Sequence, residues 1–240
     1  LIGGDRITAL RAYSNKSSNN KDRVRTSTGG WKTNLVVAYD NLVQVQFGIS
    51  PKISSTTATT SNAIVTSALI APANGVKISV GYALNADETT KNVVFGAANI
   101  DIAKLADLDF TIGVAASDKF GFEGDNKKNT LAAEVYGAVK GISLNAEYSL
   151  VTTDDAGTKT NKHGFHVGAD FSNLVANSTI DAYVGSGNVS DFSNNWYIGA
   201  DLGYKVSGVG FNLGLEYNVG GSYNYSSNGF LVVPSISVAF

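Results

Sequence analysis

A two-residue hydrophobic period runs through most of the chain and constrains its fold more than any other feature. Near the end, Phe230, Val232, Pro234, Ile236, Val238 and Phe240 fall on one face. Leu231, Val233, Ser235, Ser237 and Ala239 fall on the other. Val209, Phe211, Leu213, Leu215 and Tyr217 alternate with Gly210, Asn212, Gly214, Glu216 and Asn218. Trp196, Ile198, Ala200, Leu202 and Tyr204 alternate with Tyr197, Gly199, Asp201 and Gly203. The same alternation recurs over 163–171, 142–150, 108–114, 76–84, 43–49 and 31–39. Apolar residues at every second position put one face of an extended strand in an apolar environment; a helix needs a period of 3.6. The best helical candidate, 100–108, spaces Ile102, Leu105 and Leu108 on one side and is too short for a second turn.

Segments 62–72, 92–100, 130–139 and 178–187 also read as strands, with more Ala and a facing that the period alone leaves open. Residues 5–14 complete the tally as a first strand. The total is about fourteen strands of roughly nine to ten residues, long enough to cross a bilayer when tilted. The connections alternate in length. Short ones fall at 40–41, 73–75, 101–107, 140–141, 172–177 and 205–208. Long polar ones fall at 15–30, 51–61, 85–91, 116–129, 151–161, 188–195 and 219–228. This is the layout of an antiparallel up-and-down meander with tight turns at one end and loops at the other, in one domain over residues 1–240.

Composition narrows the classes further. Of 240 residues, 16% are charged, Gly numbers 26, and Cys and Met are absent. No Cys means no disulfide framework, no thiolate metal site and no Cys nucleophile. Two His residues, His163 and His166, are too few for a His-based metal site. A net charge of −2 argues against a nucleic-acid partner. The Leu1 start, with no Met anywhere, predicts a processed or excised product whose signal peptide or N-terminal domain has been removed.

The face opposite the apolar one is Gly, Ala, Ser, Thr and Asn with one or two ionisable residues per strand, which suits a wet interior better than a packed core. Aromatics sit near strand ends: Trp31 and Tyr39, Trp196 and Tyr204, Phe165 and Phe171. The final segment 229–240, GFLVVPSISVAF, ends in Phe240 with Val238 and Ile236 at the alternate positions. It resembles the terminal strand of Gram-negative outer-membrane proteins, whose last aromatic residue is read by the barrel-assembly machinery. Pro234 departs from that pattern, because proline cannot donate to a ladder; it predicts a bulge or irregular pairing.

The resemblance implies a transmembrane antiparallel up-and-down β-barrel of the porin type, lying in outer-membrane lipid and passing small hydrophilic solutes and ions. A trimer is the usual assembly of general porins, although some smaller barrels of the family are monomers. Register makes Lys32, Lys77, Asp109, Glu134, Glu147, Lys162, His166, Asp170, Asp181, Asp201 and Glu216 the pore-lining ionisable residues. Acids outnumber bases among them, which predicts a mild cation preference. Two segments compete as the constriction: 15–30, whose Lys16, Lys21, Arg23 and Arg25 would face the acids, and 117–129, anchored by Phe120 and Phe122. An exposed loop with solvated basic residues is an equal reading of the first.

No catalytic constellation is present in the sequence, and no cofactor is expected. On a strand His163 faces opposite to His166 and Asp170, so the three cannot converge. Asp87-Glu88, Asp125 and Asp154-Asp155 read as solvated loop carboxylates, without EF-hand spacing. The rival functions are a barrel that anchors an absent N-terminal domain, as in an adhesin, and a soluble β-rich binding protein.

Overall fold

The computed structural model describes residues 2–3, 7–8, 30–31, 33–40, 42–53, 60–84, 92–220 and 228–238. Its strands are β1 (Ile2–Gly3), β2 (Ile7–Thr8), β3 (Gly30–Trp31), β4 (Thr33–Tyr39), β5 (Val43–Ile53), β6 (Thr60–Ala73), β7 (Val76–Leu84) and β8 (Asn92–Asp101). After the one-turn helix α1 (Ile102–Ala106) come β9 (Thr111–Glu123), β10 (Asn126–Val139), β11 (Ile142–Asp155) and β12 (Thr158–Asp170). The last four are β13 (Ser178–Ser186), β14 (Trp196–Val206), β15 (Val209–Val219) and β16 (Gly229–Val238). Thirteen of them, β4 to β16, form one antiparallel sheet in chain order, with the short β1 added beside β4. Among the described residues the sheet is not closed: β16 pairs with β15 alone.

Tight turns explain why successive strands pair. Lys140-Gly141, Ala156-Gly157 and Ser207-Gly208 each place both residues at positive φ, with φ 49° and 84°, 47° and 96°, and 47° and 84°. This is the two-residue turn whose twist matches that of the flanking strands. At the same end as the Lys140 and Ser207 turns, α1 joins β8 to β9. The Asp101 side chain caps it by accepting from the Lys104 backbone N–H at 3.1 Å, and Asp107 ends it in the left-handed region.

The structure corrects several sequence expectations. The strand that pairs with β4 is Ile2–Gly3, opposite Leu35 and Asn34; within 5–14, Ile7–Thr8 pairs with Gly30–Trp31 in a separate two-stranded sheet. The expected strand over 108–114 starts instead at Thr111, so Leu108, Asp109 and Phe110 lie in the connection from α1. The expected loops 116–129 and 151–161 are hairpin extensions, β9–β10 and β11–β12, in continuous register to the tips. Their charged residues still alternate, and Gly124-Asp125 and Ala156-Gly157 turn the chain in two residues. The stretch 117–129 is therefore strand wall and not an infolded constriction. Pro234 sits in unbroken register opposite Leu213, and the one register shift among the described pairs lies between Ile70 and Ala73. The β15–β16 pairing takes up Pro234 without a bulge.

Side-chain facing follows the period. One face carries Leu35, Val45, Phe47, Val80, Val94, Val135, Leu144, Val167, Ile198, Phe211 and Val232, all exposed. Exposed aromatics mark both ends of that face. Tyr39, Phe110, Tyr204 and Phe211 lie near the short turns; Tyr82, Phe120, Tyr217 and Phe230 lie near the opposite end. The other face is buried and mostly polar, with Gln46, Ser67, Ser79, Asn99, Ser117, Glu134, Glu147, Ser149, His166, Asp181, Glu216 and Asn218; Val65, Val93, Phe95, Tyr183 and Tyr197 are buried on it as well. Carboxylates inside and large aliphatic residues outside reverse the usual order of a sheet in water.

Candidate functional site: the polar face of the sheet

Antiparallel register converts a list of inward-facing residues into lines across the wall. One line runs Lys77, Asn99, Ala115, Glu134, Glu147, His166, Gly185, Tyr197, Asn218 from β7 to β15. A second runs Asn145, Gly168, Tyr183, Gly199, Glu216. A third runs Ser143, Asp170, Asp181, Asp201, Gly214. Carboxylates therefore stand directly opposite one another: Glu134 against Glu147, and three aspartates on three successive strands. Opposed like charges weaken strand pairing, so packing alone does not account for them.

Two lines place a glycine between polar partners on strands two apart. Strands two apart are separated by about 9.6 Å, too far for ordinary cross-strand contact. At Gly199 the missing Cβ leaves room for the Tyr183 ring to lie across β14: a Cβ there would come within 2.5 Å of the ring carbon Cζ. Tyr183 Oη thereby donates to Glu216 Oε2 at 3.0 Å, and Asn218 Nδ2 donates to Glu216 Oε1 at 3.0 Å. At Gly185 the Tyr197 hydroxyl fills the space a Cβ would take, and Tyr197 Oη meets His166 Nδ1 at 3.1 Å. The rings of His166, Tyr183 and Tyr197 lie 6.1 to 6.3 Å apart, centroid to centroid. On β8 to β10, Tyr136 lies in the same way over Gly113 and exchanges hydrogen bonds with Asn99 at 3.0 and 3.1 Å. These bridges tie strands two apart across the polar face.

Nine of the eleven predicted ionisable positions lie on strands with their polar face: Lys77, Glu134, Glu147, Lys162, His166, Asp170, Asp181, Asp201 and Glu216. Lys77 and Lys162 are exposed; Glu134, Glu147, His166, Asp181 and Glu216 are buried. Asp109 lies in the bend before β9. Lys32, Lys21, Arg23, Arg25 and Phe240 lie outside the described residues. His163 and His166 do face opposite ways: His163 Nδ1 bonds Tyr148 Oη at 2.6 Å on the apolar face. Sequence reasoning assigned no role to Tyr136, Tyr183, Tyr197, Asn99 or Asn218. Their signal was a tyrosine two strands from a polar partner with glycine between, which becomes visible only once strand pairing is known.

On the apolar face, two shallow recesses of about 670 and 590 Å³ share Val135, Ala146 and Val167. Compared with known proteins, the chain matches no family, no curated protein and no solved structure.

Proposed function

We propose that this chain is an outer-membrane β-barrel that forms a water-filled channel for diffusion of small hydrophilic solutes and ions, with a mild preference for cations. The observation that carries the reading is the inverted facing. Val135 is 55% exposed and Ile236 69%, whereas Glu134 is 3% exposed and Glu216 1%. An apolar outer face finds a favourable environment in hydrocarbon, and a polar inner face finds one in water. The exposed aromatics at both ends match two interfacial belts. From Trp196 to Tyr204, eight residues at about 3.4 Å and a tilt of about 40° span about 21 Å, close to the apolar band of such barrels.

In this reading the edges β16 and β4 are joined, through β1, into a ring of about 28 Å backbone diameter for fourteen strands. Acyl chains of outer-membrane lipid fill the recesses over β8 to β12. Solutes are selected by size and charge, and no residue performs chemistry. The wall carboxylates Glu134, Glu147, Asp170, Asp181, Asp201 and Glu216 outnumber the lysines on the same face, Lys77, Lys119, Lys128, Lys162 and Lys205, and favour cations.

The test is reconstitution into planar bilayers, with the reversal potential measured across a potassium chloride gradient. Discrete conductance steps and a reversal potential of the cation-selective sign are expected. A folded protein, shown by heat-modifiable gel migration, that gives no steps would overturn the channel and leave a membrane anchor. A protein that stays monomeric and folded without detergent would overturn the membrane reading.

A further inference from the structure

We infer that Glu216 is a selectivity-setting carboxylate of the wall and that Tyr183 is the positioning residue that holds it, an assignment that rests on the channel reading above. Glu216 is 1% exposed, and each of its oxygens accepts one hydrogen bond, from Tyr183 Oη and from Asn218 Nδ2, both at 3.0 Å. Both donors are neutral, so they fix the carboxylate without cancelling its charge. Among the described residues Glu216 makes no ion pair. The neighbouring line adds Asp181 and Asp201, of the same sign.

Two other wall carboxylates are placed differently. Asp170 Oδ1 is engaged by the Ser172 backbone N–H at 2.7 Å, at the turn end of β12. Glu147 stands opposite His166, a residue able to carry a compensating positive charge. Glu216 has its position set at both oxygens by neutral donors. The arrangement depends on Gly199, over which the phenol ring passes.

The experiment measures cation-to-anion permeability ratios from reversal potentials for the wild type, Glu216→Gln, Tyr183→Phe and the double variant, each checked for folding by heat-modifiable migration. Glu216→Gln should lower the ratio about fourfold: one charge about 10 Å from the ion path in water favours a cation about twofold and disfavours an anion about twofold. Tyr183→Phe removes one hydroxyl and no charge, yet should lower the ratio in the same direction. In the Glu216→Gln background it should add nothing. A merely structural tyrosine would change folding yield without moving the ratio, or would act equally in both backgrounds. Either result overturns the positioning role, and an unchanged ratio in Glu216→Gln overturns the assignment of Glu216. If Tyr183→Phe does not fold, Asn218→Ala removes the other donor to Glu216 and makes the same test of positioning. Absence of wild-type conductance counts against the channel itself, whereas conductance with unmoved ratios counts against this inference alone.

Discussion

At the residue scale, the polar wall is organised by pairs of unequal size. Gly185 and Gly199 are the positions over which Tyr197 and Tyr183 lie, and each ring reaches a partner one strand further on. Gly185 is the more constrained of the two. A Cβ there would meet the Tyr197 hydroxyl and would also stand 2.5 Å from the backbone carbonyl of Phe165 on β12. A ring can swing away; a ladder carbonyl cannot without disturbing its strand. Gly185→Ala should therefore cost about 1–3 kcal/mol, the usual range for overpacking. Adding Tyr197→Ala should fail to restore the loss, because the carbonyl contact remains. Urea unfolding from lipid vesicles, comparing the two variants with wild type, measures this; full recovery in the double variant would show that the ring was the whole obstacle.

The same residues show what was legible in advance. Parity along a strand tells which residues share a face, so Glu147, Asp201 and Glu216 were readable as inward neighbours of Gly and Ser. Parity says nothing about which residue on the next strand stands opposite. The line from Tyr183 through Gly199 to Glu216 joins residues 33 positions apart in sequence, and it depends on two hairpin registers at once. That is why the carboxylates were found and their tyrosine partners were not.

At the element scale, hairpins carry the fold, and the long ones were the hardest to read. The stretch SDKFGFE within β9 has four charged or polar residues in seven and looks like a loop by composition, yet Ser117, Lys119 and Gly121 keep one face while Asp118, Phe120 and Phe122 keep the other. Alternation persists where hydrophobicity fades, so strand continues to Glu123. At the tip of the next hairpin, Ala156 holds φ 47°, a region that costs an alanine more than an asparagine. Asn-Gly is the favoured pair for this turn. Ala156→Asn should therefore stabilise the β11–β12 hairpin by about 0.5–1 kcal/mol. Slower amide exchange over 151–162, with unchanged exchange in β4 to β7, is the expected signature. No change in exchange would mean that the turn does not limit opening of the hairpin.

At the scale of the whole molecule, one sheet has put Glu134, Glu147, Asp181 and Glu216 on its buried side and most of its large aliphatic residues on the exposed side, although Val65, Val93, Phe95, Tyr183 and Tyr197 are buried with the carboxylates. The residue pattern that suggests this was available from alternation; the decision between water and lipid outside was not, because a soluble sheet alternates as well. Burial adds what alternation lacks. Glu134, Glu147, Asp181 and Glu216 are buried, while Val135, Leu144 and Phe211 are exposed. A soluble protein would have to leave that apolar face against water, against the hydrophobic effect. Val135 separates the cases most cleanly, since it lies on the apolar face of β10 and is 55% exposed. If that face meets water, Val135→Arg should change stability by no more than about 0.5 kcal/mol, as surface substitutions do. If it meets the middle of a bilayer, the same change should cost about 2–4 kcal/mol. We expect the larger value, read as a lowered urea midpoint for the variant in lipid vesicles, and a near-neutral result would remove the membrane from the account.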